Sequence, residues 1–192
     1  MLVARSRQTW TMAAYLEWEA EQEVRHELVD GELHTMVGGT AAHGTISLNI
    51  CVALRTALRG TGCQVFGSDF KVATGNGNAR YPDAHVHCSR LSQDAVIGPH
   101  PVAVFEVLSK STARFDRNLK LRDYAATSSI RYYTLLAQDA PEAMLYARDA
   151  EGLFNPGDVQ TVEGIEGVIR LPDIDVALAM ADIYLEIPFG PV

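Results

Sequence analysis

The sequence predicts an α+β (α/β) fold: a mixed β-sheet flanked by helices, preceded by an N-terminal helix and a β-hairpin. Three features carry that expectation. Helical periodicity runs through residues 46–57 and 116–125, short strand-like runs lie between and after these stretches, and two runs, 83–88 and 101–106, read as buried strands with a carboxylate at one end. With 192 residues, 47% of them apolar, the chain can bury one good core, so residues 1–192 are expected to form one domain.

Taken in order, Thr9 and Thr11 can cap a short helix over residues 12–20. Residues 26–29 and 32–36 flank Asp30-Gly31, a pair that favours a tight hairpin turn with positive φ. Gly38-Gly39-Thr40 then breaks the chain and can cap a long helix, on which Ile46, Ile50, Ala53, Leu54 and Ala57 recur at helical spacing until Gly60 and Gly62 end it. Strands are expected at 63–66 and 70–73, followed by a loop at 75–78, the Asp83 strand, a Gly/Pro-rich loop over 89–101 and the Glu106 strand. Ser109 to Thr112 supply caps for the helix through 116–125. Strands return at 131–136 and 143–147, with weaker signals at 159–162 and 168–171 and a short helix over 180–184.

Composition narrows the function classes. No apolar run approaches a bilayer span and the first residues lack the apolar segment of a signal peptide, so no membrane partner and a cytoplasmic location are expected. Cys51, Cys63 and Cys88 are odd in number and show no Cys-x-x-Cys spacing; reduced, partly buried thiols are expected. The formal charge of -8 opposes a polyanionic partner at long range. Its distribution softens this: between Phe105 and Leu135 six bases (Lys110, Arg114, Arg117, Lys120, Arg122, Arg131) face three acids (Glu106, Asp116, Asp123).

The chemistry centres on Asp83 and Glu106, because carboxylates are rarely buried unpaired. On neighbouring strands, two such charges about 4 Å apart would repel by about 4 kcal/mol at an effective dielectric near 20. A divalent cation removes that repulsion, and oxygen-only ligands with open positions suit Mg2+ or Mn2+, ions that keep water and meet phosphate oxygens. Two other arrangements fit the same residues. Asp83, His85 and His87 share one strand face, where two neighbours could hold iron or zinc although all three span about 13 Å. Alternatively, the carboxylates accept backbone N–H groups, and Lys120, four residues after Asp116, forms a helix-surface ion pair.

Pro82-Asp83, Glu106-Val107-Leu108 and the bases that follow, in helix–strand–strand–strand–helix–strand order, resemble the PD-(D/E)XK nuclease superfamily of restriction-endonuclease-like folds. More narrowly, the hairpin from Glu27 to Leu33, His43, Pro82-Asp83, Glu106-Val107-Leu108-Ser109, Ser111-Thr112, Asp116 and Lys120 are similar to a bacterial branch of restriction-endonuclease-like proteins, over about residues 10–146. The resemblance divides the chain into an N-terminal helix and hairpin (1–40), a nuclease core (41–148) and C-terminal strands with a short helix (149–192). It implies a metal-dependent DNA endonuclease in which Asp83, Glu106 and the Val107 carbonyl hold Mg2+ (or Mn2+) and Lys120 orients water or stabilises developing charge. Glu27 would be a further acidic ligand or base, and His43 would contact phosphate or brace a carboxylate. Lys110, Arg114 and Arg117 would meet DNA, and cleavage of both strands implies a homodimer.

Two departures matter. The superfamily's lysine position holds Leu108, so Lys120 is read as its replacement from the following helix; the branch's proline after Glu-Val-Leu-Ser is Lys110. Leu108 keeps open a catalytically silent nucleic-acid-binding or interaction module of the same fold, and His85 or His87 keeps open a small-molecule metalloenzyme.

Overall fold

Local signals fix the first elements. In the computed structural model, which describes residues 9–108 and 115–189 apart from the side chains of 115–117 and 156, Thr11 Oγ1 accepts the Ala14 N–H and starts the first helix. Asp30 and Gly31 take φ of 51° and 80°, the positive pair that a two-residue hairpin turn requires. Thr40 Oγ1 accepts the His43 N–H and starts the long helix, which buries Ile46, Ile50 and Leu54 along one stripe.

The described elements are α1 (Met12–Glu19), β1 (His26–Val29), β2 (Glu32–Thr35), α2 (Ala41–Ala57), β3 (Gln64–Gly67), β4 (Lys71–Ala73), β5 (Ala79–Arg80), β6 (Ala84–His87), β7 (Ile97–Gly98), β8 (Ala103–Leu108), α3 (Phe115–Ala125), β9 (Tyr132–Ala137), β10 (Glu142–Ala147), β11 (Gln160–Glu163), β12 (Val168–Leu171), β13 (Val176–Ala179) and α4 (Met180–Ile183). They build a mixed α+β architecture of three sheets rather than the one sheet expected. A six-stranded sheet has the order β11-β10-β9-β8-β6-β3, a five-stranded sheet the order β2-β1-β5-β4-β7, and β12 pairs with β13. The two strands expected at 63–66 and 70–73 therefore part company, β3 joining the first sheet and β4 the second.

In the six-stranded sheet β8 runs parallel to β9, with α3 as the crossover, and antiparallel to β6. Its side chains alternate between two cores. Ala103, Phe105 and Val107 face α2, together with Ala84 and Val86 of β6; Val104 faces the opposite core with Tyr124 of α3, Ile130, Tyr133 and Leu135. The C-terminal end of α3 is pinned by Arg148, whose guanidinium donates to the carbonyls of Tyr124, Ala125 and Thr127, and also of Ile130 and Gly152. Those bonds occupy carbonyls that a helix end would otherwise leave unpaired.

The thiol expectation is corrected. Cys63 and Cys88 form a disulfide, while Cys51 remains a thiol. The two flank the paired residues Gln64 and His87 on neighbouring strands, so register rather than sequence spacing brings them together. Among the described residues no helix is long and apolar enough to cross a membrane.

The bridge closes 25 residues of sequence separation. On the loop-entropy model, Cys63→Ser is expected to lower unfolding free energy by roughly 3 kcal/mol, measured by urea denaturation, and thiol titration of the oxidised unfolded protein should report one free cysteine. Equal stability with and without the bridge would contradict this.

Candidate active site

Register sets the two key acids side by side. Ala84 pairs with Phe105, so the next position along the ladder places Asp83 beside Glu106. Because Phe105 fills the α2-side core, alternation turns the Glu106 carboxylate to the opposite face, where α3 lies, while Asp83, just before β6, stands at the end of the strand within reach of α2. The strands part at this point. The Val107 N–H donates 2.7 Å to Asp83 Oδ2 instead of to a ladder carbonyl. A strand residue presents its N–H and C=O to the same side, so the Val107 carbonyl also faces Asp83.

Each acid has further partners. Asp83 Oδ1 lies 2.7 Å from His43 Nε2 in the first turn of α2. A Cβ on Gly39 would stand 2.9 Å from that imidazole, so the loop before α2 needs glycine to pass it. Glu106, only 4% exposed, accepts from Lys120 Nζ at Oε2 (2.8 Å) and from the Tyr124 hydroxyl at Oε1 (2.7 Å). Lys120 and Tyr124 are four residues apart on α3 and share one helix face.

Burial pushes the Glu106 carboxyl up to about 7; Lys120 pulls it back and the charge of Asp83 pushes it further. The hydrogen bond to Asp83 is the main reason that His43 sits above the ordinary imidazole range. Burial, with Glu106 beside it, holds the Tyr124 phenol well above its usual value.

Asp83, Glu106, Val107, Lys120 and His43 thus line one cleft of about 240 Å³. A second cleft of about 690 Å³ adjoins it across His43 and Asp83, with Arg25, Ser47 and Asp69 in its wall. Leu108, at the motif's lysine position, packs partly buried against the core of Val104, Tyr124 and Tyr133. Glu27 borders the smaller cleft with both oxygens engaged: Oε2 pairs with Arg80 at 2.7 Å and Oε1 accepts the Tyr81 N–H. It braces the backbone entering Pro82-Asp83. Lys110 and Arg114 lie outside the described residues, and the side chain of Arg117 on α3 does too. Two other bases of that run are paired with acids, Arg122 with Asp30 and Asp123, and Arg131 with Asp173.

The structure removes His85 from the histidine-metal alternative. His85 Nε2 donates to the Phe70 carbonyl, which leaves Nδ1 to accept from His87 Nε2 at 3.0 Å, so His85 keeps no lone pair for an ion. Burial lowers the two rings to about 3 and about 4, and both are neutral. Among the described residues no group of three or more His, Cys, Asp or Glu side chains is arranged to hold a metal. Sequence reasoning missed Tyr124 as a partner of Glu106. Its signal was the Lys120-x-x-x-Tyr124 spacing on a helix that follows an acidic strand.

A sequence profile of the family described as "Uma2: Putative restriction endonuclease" matches residues 12–180. The chain belongs to the Uma2 family. Among its relatives, "Uncharacterized protein slr1290" of Synechocystis sp. (strain ATCC 27184 / PCC 6803 / Kazusa) is 32% identical over 177 residues, covering 91% of each chain. A second protein of that strain, "Uncharacterized protein sll1609", is 29% identical over 144 residues, covering 72% of this chain and 80% of the other. The crystal structure of "a putative nuclease belonging to DUF820" from Anabaena variabilis ATCC 29413 superimposes with a TM-score of 0.74 at 14% identity, covering 91% of this chain and 97% of that one. The two share a fold.

The Glu106 environment makes a pH prediction for this Uma2 protein. A carboxyl raised from 4.5 to about 7 keeps its proton in the folded chain where the unfolded chain has lost it, so stability falls as pH rises through that window. His43, also raised, acts in the same direction. Glu106→Gln is expected to flatten the fall between about pH 5 and pH 8 by on the order of 2 kcal/mol, read from urea denaturation at each pH. An unchanged slope would assign the proton elsewhere.

Proposed function

We propose that this Uma2 protein is a metal-dependent DNA endonuclease. The observation that carries the reading is that Asp83, bonded to the Val107 N–H, and Glu106, bonded to Lys120, line one cleft. The family's description as a restriction endonuclease and that of the Anabaena protein as a nuclease point the same way. The residues fit a hard dication: two carboxylates and a carbonyl are an all-oxygen set, and the cleft leaves room for water.

On this reading Asp83, Glu106 and the Val107 carbonyl hold Mg2+ or Mn2+, which supplies polarisation of the scissile phosphate and a more acidic attacking water. Lys120 orients that water or stabilises charge on the phosphate oxygens. His43 keeps Asp83 in its rotamer through the Nε2 contact. Lys110, Arg114 and Arg117 contact the DNA backbone, and a homodimer serves the two strands. Residues 1–192 act as one domain in the cytoplasm.

One observation favours a second reading, a silent nucleic-acid-binding module: both carboxylates already have a basic side chain of their own, His43 and Lys120. Incubation of the full chain with supercoiled plasmid and Mn2+ decides between them. The endonuclease reading expects nicking that Asp83→Ala and Glu106→Ala each reduce by about 100-fold or more. Retarded migration without nicking supports the silent module, and equal nicking by wild type and both variants removes this site.

A further inference from the structure

The two carboxylates are held in the same way. Each has one oxygen fixed by a rigid donor: Asp83 Oδ2 by the Val107 backbone N–H, Glu106 Oε1 by the Tyr124 hydroxyl, both at 2.7 Å. Each has the other oxygen capped by a basic side chain from a helix that borders the cleft, His43 on Asp83 Oδ1 and Lys120 on Glu106 Oε2.

The two kinds of donor differ in freedom. Lys120 is a long side chain, 14% exposed, with several rotatable bonds between its backbone and the ammonium. Tyr124 is fully buried, its ring is tilted 59° against Tyr133 at 4.9 Å, and its carbonyl is tied to Arg148. A ligand that needs Oε2 competes with a flexible lysine, whereas the buried, packed ring of Tyr124 holds its hydroxyl on Oε1.

We propose that Tyr124 is a positioning residue that favours one-oxygen ligation by Glu106 and so makes the site select a small octahedral dication over calcium. The proposal rests on the metal-dependent reading above. Mg2+ and Mn2+ need few carboxylate oxygens at near-octahedral angles and keep their waters, whereas Ca2+ gathers six to eight oxygens and favours two-oxygen carboxylates. The rigid donors each take a lone pair of Asp83 Oδ2 and Glu106 Oε1, while Oδ1 and Oε2 carry the side-chain partners that an ion can compete with, so ligation through one oxygen of each acid is the favoured mode. That count suits the smaller ions.

The test is binding, not cleavage. Free Mn2+ is followed by its electron paramagnetic resonance signal as the full chain is titrated, and bound Mn2+ is then competed with Ca2+. Wild type is expected to prefer Mn2+, Tyr124→Phe to bind Ca2+ about tenfold better relative to Mn2+, and Lys120→Met to change Mn2+ affinity with that ratio kept. Phe retains the ring that packs on Tyr133. An unchanged ratio in Tyr124→Phe, or an equal shift in Lys120→Met, overturns the role of Tyr124. A wild-type chain that takes Ca2+ as readily as Mn2+ overturns it without any variant. Loss of Mn2+ binding in Glu106→Gln supports the underlying site; Mn2+ bound equally by wild type and Glu106→Gln, or by neither, sinks the metal reading itself and the proposal with it.

Discussion

The desolvation of Glu106 is the constraint around which the rest is arranged. A carboxylate inside a face that also carries Val104, Tyr133 and Leu135 must find donors, because an unpaired buried charge costs several kcal/mol. Both side-chain donors come from α3, so that helix has one acceptable rotation over the sheet: the one that points Lys120 and Tyr124 at β8. Arg148 then fixes how far α3 runs before the chain turns back into β9. Fold and candidate chemistry are thus determined by the same contacts.

A second set of buried charges attaches the hairpin to this frame. Arg80, 2% exposed, sits between Glu27 and Asp123, and Asn76 donates to Asp123 as well. Burial disfavours the Arg80 charge, but the two acids outweigh it and its proton is held more tightly than in water. Such pairs add little net stability over apolar packing of the same shape. Their effect is geometric: Glu27 reaches from β1 to the Tyr81 N–H, and so fixes the approach of the backbone to Asp83. Nearby, Lys71 pairs with Glu19, whose other oxygen accepts from the Tyr81 hydroxyl, so α1 grips the same segment.

Local physics was legible in the sequence and lateral pairing was not. Thr11, Thr40 and Asp30-Gly31 act through neighbours within three residues, and each does in the structure what its type favours. The strands of Asp83 and Glu106 were also readable, since burial leaves an apolar trace. The two-residue strands β5 and β7 leave no period to detect, and the division of β3 and β4 between two sheets depends on partners distant in sequence. The same holds for side chains. Glu27 resembled a free acid because Arg80 is 53 residues away, and the disulfide was invisible because only the pairing of Gln64 with His87 aligns its halves. An aromatic residue such as Tyr124 signals packing in a sequence; its ring does pack, but its hydroxyl serves Glu106.

The charge arrangement explains how an acidic chain and a phosphate substrate are compatible on the endonuclease reading. The chain carries a formal charge of -8, yet fields from exposed acids fade over a Debye length of about 8 Å at physiological salt, so the site's own groups decide what a phosphate meets. There His43 stands against Asp83 and Lys120 against Glu106, one basic group for each acid. Such pairs largely cancel, and neither side chain by itself offers a phosphate strong attraction. On that reading a dication held by Asp83, Glu106 and the Val107 carbonyl would compete with Lys120 for Glu106 and would leave the ammonium facing the cleft, while His43 stays on Asp83. Ion binding and phosphate binding would then support one another, because the ion would loosen a base that the acid otherwise holds.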